Sequence, residues 1–162
     1  MKRSTKQTSM AAVFAVASEL SRRGYSVKVG KPGLGGDVVC SSGGKPFRIQ
    51  VNGYTAKEKG FPPYIPVGKD FLEASLQQDL FLVVVGVPAP AAPAGMRFFV
   101  LSHGDALREW NSLSDETKDG APYDQGPFYW GLYLKKNIEP YEGQWDKLPE
   151  STENNNELAA SV

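Results

Sequence analysis

The chain has 162 residues, of which 41% are apolar and 22% charged, and its 18 basic residues balance its 18 acidic ones. This composition is typical of a globular domain with a substantial core. The absence of any run of about 18 apolar residues excludes a membrane-spanning helix. The single cysteine and single histidine exclude an internal disulfide and a Cys/His zinc site. We expect a cytoplasmic protein with one domain over residues 1–150 and a disordered tail over 151–162.

Charge is distributed unevenly along the chain. Residues 1–60 contain eleven lysines and arginines against three acids, whereas residues 61–162 contain seven against fifteen. A basic half favours a surface that faces a polyanion. The two halves could also interleave in space and form no such surface, so this alternative stays open.

The first predicted element is a helix over residues 8–23, with Thr8 or Ser9 as its N-cap and Gly24 as its stop. The apolar residues that recur at helical spacing, and so predict its buried stripe, are Met10, Val13, Phe14, Ala17 and Leu20. Short strands are predicted over 25–29, 37–40 and 46–51. The last two form a hairpin with Gly43 and Gly44 at its tip.

Residues 52–69 predict a long loop, and Asp70 is predicted to cap a helix over 71–78. The run 80–87 is apolar on both faces and predicts a central strand that is covered on both sides. A strand over 96–101, a helix over 105–112 and an aromatic segment over 128–134 follow. Tyr141 and Trp145 are predicted to anchor a closing segment over 138–148. This order predicts an α/β fold with a mixed central β-sheet flanked by helices.

The candidate site lies where the hairpin strands end. Gln50 and Asn52 are two apart on a strand and therefore project from one face, while Ile49 and Val51 project into the core. If the hairpin pairs as predicted, Asp37 lies near Gln50 and Asn52. A carboxylate, an amide oxygen and a backbone carbonyl suit Mg²⁺ better than zinc. Such an ion activates water and neutralises charge at a phosphate.

Three motifs follow one another along this part of the chain: a helix that carries Glu19, the segment Gly36-Asp37-Val38-Val39, and the segment Phe47-Arg48-Ile49-Gln50-Val51-Asn52. With the later apolar strands, this order resembles the PD-(D/E)XK, or restriction-endonuclease-like, nucleases, up to about Leu148. The resemblance implies an α-β-β-β-α-β core, Mg²⁺ as cofactor and phosphodiester hydrolysis. It also implies that Asp37 is the main metal ligand, Gln50 the second, the Val51 carbonyl a backbone ligand and Glu19 an accessory acid.

The sequence departs from that family at Asn52, where the family carries a lysine. Asparagine has no charge and cannot stabilise a developing phosphorane as lysine does, a contribution worth about 3 kcal/mol at such sites. Gln50 in place of an acid also weakens Mg²⁺ binding. The catalytic set implied by the resemblance is therefore Glu19, Asp37, Gln50 and Asn52, with weak or lost activity. Four lysines could stand in for the missing one: Lys28, Lys31, Lys45 and Lys57.

Nucleic acid is the partner that the basic half favours. The residues predicted to face its phosphates are Arg22, Arg23, Lys28, Lys31, Lys45 and Lys57. No membrane partner is expected, and a homodimer stays open. Two other functions also stay open: a non-catalytic protein-interaction module that uses loop 53–69 or 88–95, and a Mg²⁺-dependent phosphoesterase that acts on small molecules.

Structural roles remain as alternatives for the same residues. Asp37 could end a turn through its side chain, and Gln50 and Asn52 could simply face solvent. Glu19 could pair with Arg22 and Arg23 along the helix. His103 is predicted to be a helix-start residue rather than a catalyst, and Cys40 to be buried and inert.

Overall fold

The computed structural model describes residues 3–30, 37–56, 65–90, 95–112, 129–132 and 138–151. The elements in these ranges are α1 (Thr5–Arg22), β1 (Ser26–Val29), β2 (Val38–Ser42), β3 (Lys45–Ala56), β4 (Ile65–Gly68), α2 (Lys69–Glu73), β5 (Leu80–Pro88), β6 (Arg97–Ser102), α3 (His103–Asn111) and β7 (Tyr129–Leu132). Two 3-10 turns follow, over Glu139–Tyr141 and Trp145–Lys147. The predicted tail lies outside the described residues beyond Ser151.

Five strands form one mixed sheet in the order β1-β2-β3-β5-β6. Neighbouring strands are antiparallel except for β3 and β5, which are parallel. β4 and β7 pair with each other as a separate two-stranded sheet. Helices lie on both faces of the larger sheet, so the predicted α/β architecture with a mixed, helix-flanked sheet is confirmed.

The β2–β3 hairpin turns at Gly43 and Gly44, whose φ angles of 59° and 82° suit residues without a Cβ atom. β3 then continues past its predicted end, because its parallel pairing with β5 extends as far as Ala56 opposite Pro88. The loop predicted over 52–69 is therefore wrong at its start. It is also wrong at its end, where β4 forms.

α1 covers one face of the sheet, which we call the α1 face. Ser4 and Gln7 form a capping box, so the helix begins at Thr5 rather than at residue 8. Its buried residues are Thr8, Ala12, Val16 and Leu20. The predicted stripe is wrong at Met10 and Phe14, which are exposed, and right at Leu20, while Val13 is half-buried against the core. Small side chains face the sheet because α1 passes very close to β3.

Gly53 shows how close that approach is. A Cβ atom at Gly53 would lie 2.7 Å from the Ala12 Cβ and 3.0 Å from the Thr8 carbonyl oxygen. A large side chain at position 12 would therefore push the helix off the strand. The face of α1 that packs inward is set by this contact and not by the bulkiest apolar residues.

α2 and α3 cover the opposite face, which we call the α3 face. Ser102 and Asp105 form a capping box at the start of α3. α2 ends at Glu73 and has no side-chain cap, so the predicted 71–78 helix and Asp70 cap are wrong. β5 is buried from Leu80 to Val87 between the two layers, as predicted.

The chain closes over the sheet with its two 3-10 turns. Tyr141 is 7% exposed and Trp145 is 6% exposed, which confirms both as packing anchors. Tyr141 packs on the α3 face, and Trp145 packs among the residues of the α1 face. The segment therefore passes round one margin of the sheet, where Glu142 bridges to Phe99 of β6.

Candidate functional site

β3 is apolar on one face and polar on the other. Phe47, Ile49 and Val51 are buried beneath α1. The alternate, half-buried residues lie on the α3 face and are Arg48, Gln50 and Asn52. Polar side chains on an inner strand cost free energy unless they find hydrogen-bond partners. This polar row is therefore the part of the sheet that packing alone does not explain.

Asp37 lies just before β2, beside the polar row. Its Oδ2 accepts a hydrogen bond of 2.8 Å from the Val51 backbone N–H. Val38, the first residue of β2, pairs with Ile49, so Val51 lies two residues beyond the last described pair of this ladder. The Asp37 carboxylate is the acceptor of the Val51 N–H at that point. The structure thus brings Asp37 to the backbone of Val51, next to Gln50.

Gln50 lies beneath the junction of β4 and α2, where a Cβ atom at Gly68 would be 3.8 Å from the Gln50 Nε2. Asn52 follows on the same face, and Tyr54 comes next. The Tyr54 hydroxyl lies against β5 so closely that a Cβ at Gly86 would be 2.8 Å from it. Burial raises the pKa of Tyr54 to about 12, so the phenol stays neutral at pH 7.

Tyr54 continues the polar row by one step, and sequence reasoning missed it. The predicted strand ended at Val51, because Gly53 and the residues after it have the composition of a loop. The signal that would have found Tyr54 is the two-residue spacing from Gln50 through Asn52, continued by one step.

Glu19 lies on α1 and is not brought together with Asp37 and Gln50. Its carboxylate accepts hydrogen bonds of 2.7 and 3.1 Å from Arg22 and of 2.8 Å from Arg23. The hydrogen bond from Arg22, partly opposed by burial, lowers the pKa of Glu19 below its ordinary value. The arrangement is the pair of i,i+3 and i,i+4 contacts that the sequence offered as its alternative role.

The predicted phosphate-facing residues lie in separate places. Lys28 is exposed on β1, and Lys45 is exposed at the start of β3. Arg22 and Arg23 extend from the end of α1 and bind Glu19. Lys31 and Lys57 lie outside the described residues.

The predicted metal ligands fit Mg²⁺ in kind but carry little charge. Asp37 offers one carboxylate, whereas Gln50 and the Val51 carbonyl are neutral. Mg²⁺ prefers oxygen ligands and keeps several waters, so this donor set suits weak binding. Within the described ranges, no three or more His, Cys, Asp or Glu side chains gather where they could hold a metal ion.

A second aspartate, Asp105, is buried on the α3 face in a dense network. Its Oδ2 accepts hydrogen bonds from the Lys147 ammonium at 2.9 Å and the Ser102 N–H at 3.0 Å, and its Oδ1 accepts one from Arg108 at 2.6 Å. Burial raises the pKa of this carboxyl, but the hydrogen bonds outweigh burial and lower it to about 2. Two cations occupy the carboxylate, so Asp105 fixes the start of α3 and is not a metal ligand.

His103 and Cys40 have structural surroundings. The Gln77 N–H donates to the Nδ1 of His103 at 3.0 Å, and Nε2 lies 2.7 Å from the Phe71 carbonyl oxygen. Nδ1 therefore accepts and Nε2 donates, which uses both ring nitrogens. Burial raises the pKa of the Cys40 thiol to about 12, so it does not form a thiolate at neutral pH.

A cavity of about 360 Å³ opens beside the start of α3, and one of its lining residues, Gln77, accepts a hydrogen bond from Arg48 of the polar row. Its lining includes Leu76, Gln78, Ser102 and Lys147. The ammonium of Lys147 is bonded to Asp105 there. Among the described residues, none that the sequence predicted for the site lines this cavity.

A scan against protein-family models found no match to this chain, and searches of curated proteins and of solved structures found none either. In the described part of the chain, no helix combines the length and the apolar character needed to cross a bilayer. The functional argument therefore depends on the geometry of the chain itself.

Proposed function

We propose that this protein binds nucleic acid with a domain of the restriction-endonuclease-like kind, and that its phosphodiester hydrolysis is weak or lost. The observation that carries the proposal is the contact of Asp37 with the Val51 backbone amide. It joins the candidate acid to the strand that carries Gln50 and Asn52. The order of elements also supports it, since α1 precedes three antiparallel strands and a crossover to a strand parallel to β3.

The residues present account for weak hydrolysis. Mg²⁺ held by Asp37, Gln50 and the Val51 carbonyl would supply charge neutralisation and an activated water. Gln50 and Asn52 add hydrogen-bonding groups but no charge. Because a developing phosphorane is stabilised chiefly by positive charge near it, a site with Asn52 in the lysine position hydrolyses slowly.

Binding uses the exposed basic residues of β1, β3 and α1. Lys28 and Lys45 are exposed there, and Arg22 has a side chain that is 71% exposed despite its contact with Glu19. Three phosphate contacts, one for each of these residues, would make the affinity fall roughly 40-fold between 50 and 200 mM salt. A strong salt dependence is thus the first expected property.

The test uses labelled DNA and RNA, as duplex and as single strand, with and without Mg²⁺ or Mn²⁺. Asp37→Asn keeps an acceptor for the Val51 N–H and removes the charge. Asp146→Asn, at an exposed position, is its matched control. We expect salt-dependent binding by both variants, and slow metal-dependent cleavage that only Asp37→Asn abolishes.

Each half of the proposal can fail separately. Binding that does not respond to metal, with no cleavage by the unchanged protein, leaves nucleic-acid binding and removes hydrolysis. Absence of salt-sensitive binding to every nucleic acid contradicts the whole proposal. It would favour the protein-interaction alternative, which predicts a protein partner in a pull-down experiment.

A further inference from the structure

We draw no further inference here: the strongest candidate, the exposed apolar patch that Met10 and Phe14 form on the outer side of α1, carries nothing because no described part of the chain shows what covers it.

Discussion

The two faces of the central sheet are built by different means. On the α1 face, small and apolar residues pack so closely that Ala12 and Gly53 leave no room for a further atom. On the α3 face, buried polar groups such as His103 and Asp105 are held by hydrogen bonds and ion pairs. Successive residues of β3 alternate between the apolar α1 face and the polar α3 face. Stability should therefore depend on side-chain volume on the α1 face, and on keeping each hydrogen-bond or ion-pair partner on the α3 face.

The largest expected effect is on the α3 face, at His103. His103→Ala removes a fully buried ring and leaves the Gln77 N–H and the Phe71 carbonyl without their partner. We expect the free energy of unfolding to fall by about 3–5 kcal/mol, measured by urea denaturation. His103→Gln, which keeps an amide in the space, should lose less. A loss below about 1 kcal/mol for the alanine variant would contradict the polar account of this face.

Gly53→Ala tests the α1 face. The added Cβ meets the Ala12 Cβ at 2.7 Å and the Thr8 backbone at 3.0 Å, so α1 must shift. We expect a loss of about 2–3 kcal/mol from overpacking. Gly95→Ala is the control, since a Cβ there meets nothing within 4 Å, and it should change stability by less than about 0.5 kcal/mol. Equal stability of both variants would show that the helix accommodates the atom.

The pH dependence of stability tests the ion pairs of Asp105 on the α3 face. Its pKa is about 2 in the folded chain, against an ordinary value of 3.8. A lowered folded pKa stabilises the protein above pH 4, and this contribution is lost as the pH falls towards 2. We expect it to amount to about 2 kcal/mol. The measurement is the difference in unfolding free energy between the unchanged protein and Asp105→Asn at pH 6 and at pH 2.

The control for that titration is Asp146→Asn, at an exposed carboxylate, which should show no such pH-dependent difference. If the gap between the unchanged protein and Asp105→Asn stayed constant from pH 6 to pH 2, the ion pairs of Asp105 would not contribute as described.

The smallest effect is expected at Asp37. Asp37→Asn keeps an oxygen that can accept from the Val51 N–H, so we expect a stability change within about 0.5 kcal/mol. Asp37→Ala leaves that N–H without its acceptor and should cost about 1 kcal/mol. Thermal denaturation of the two variants separates the contribution of the hydrogen-bond acceptor to stability from that of the charge. Equal losses would mean that the charge, not the hydrogen bond, stabilises the start of β2.

Local patterns in the sequence predicted the elements whose structure depends on near neighbours. The apolar run of β5, the glycine turn after Ser42 and the alternation at Gln50 and Asn52 all have local causes. The buried side of α1 could not be predicted in the same way, because the contact of Ala12 with Gly53 joins distant parts of the chain. The pairing of β4 with β7 also joins distant parts of the chain, so the sequence did not predict it.

The candidate site likewise contains features that local sequence predicts and features that depend on distant parts of the chain. Spacing predicted that Gln50 and Asn52 share a face, since that is a property of one strand. The hydrogen bond from Val51 to Asp37 depends on where β2 begins relative to β3. The residue types of the two strands do not indicate that position. Glu19 shows the converse case, because its position on a helix made the local partners Arg22 and Arg23 available before any distant one.

The two margins of the five-stranded sheet are protected from pairing with strands of other molecules in different ways. β1 offers only four residues, and the exposed Lys28 among them would have to give up its hydration in any added ladder. β6 is shielded by the chain itself, since Gly143 donates to the Phe98 carbonyl at 2.9 Å. Neither margin is a long apolar template for cross-β growth, so this architecture resists amyloid-like aggregation at its edges.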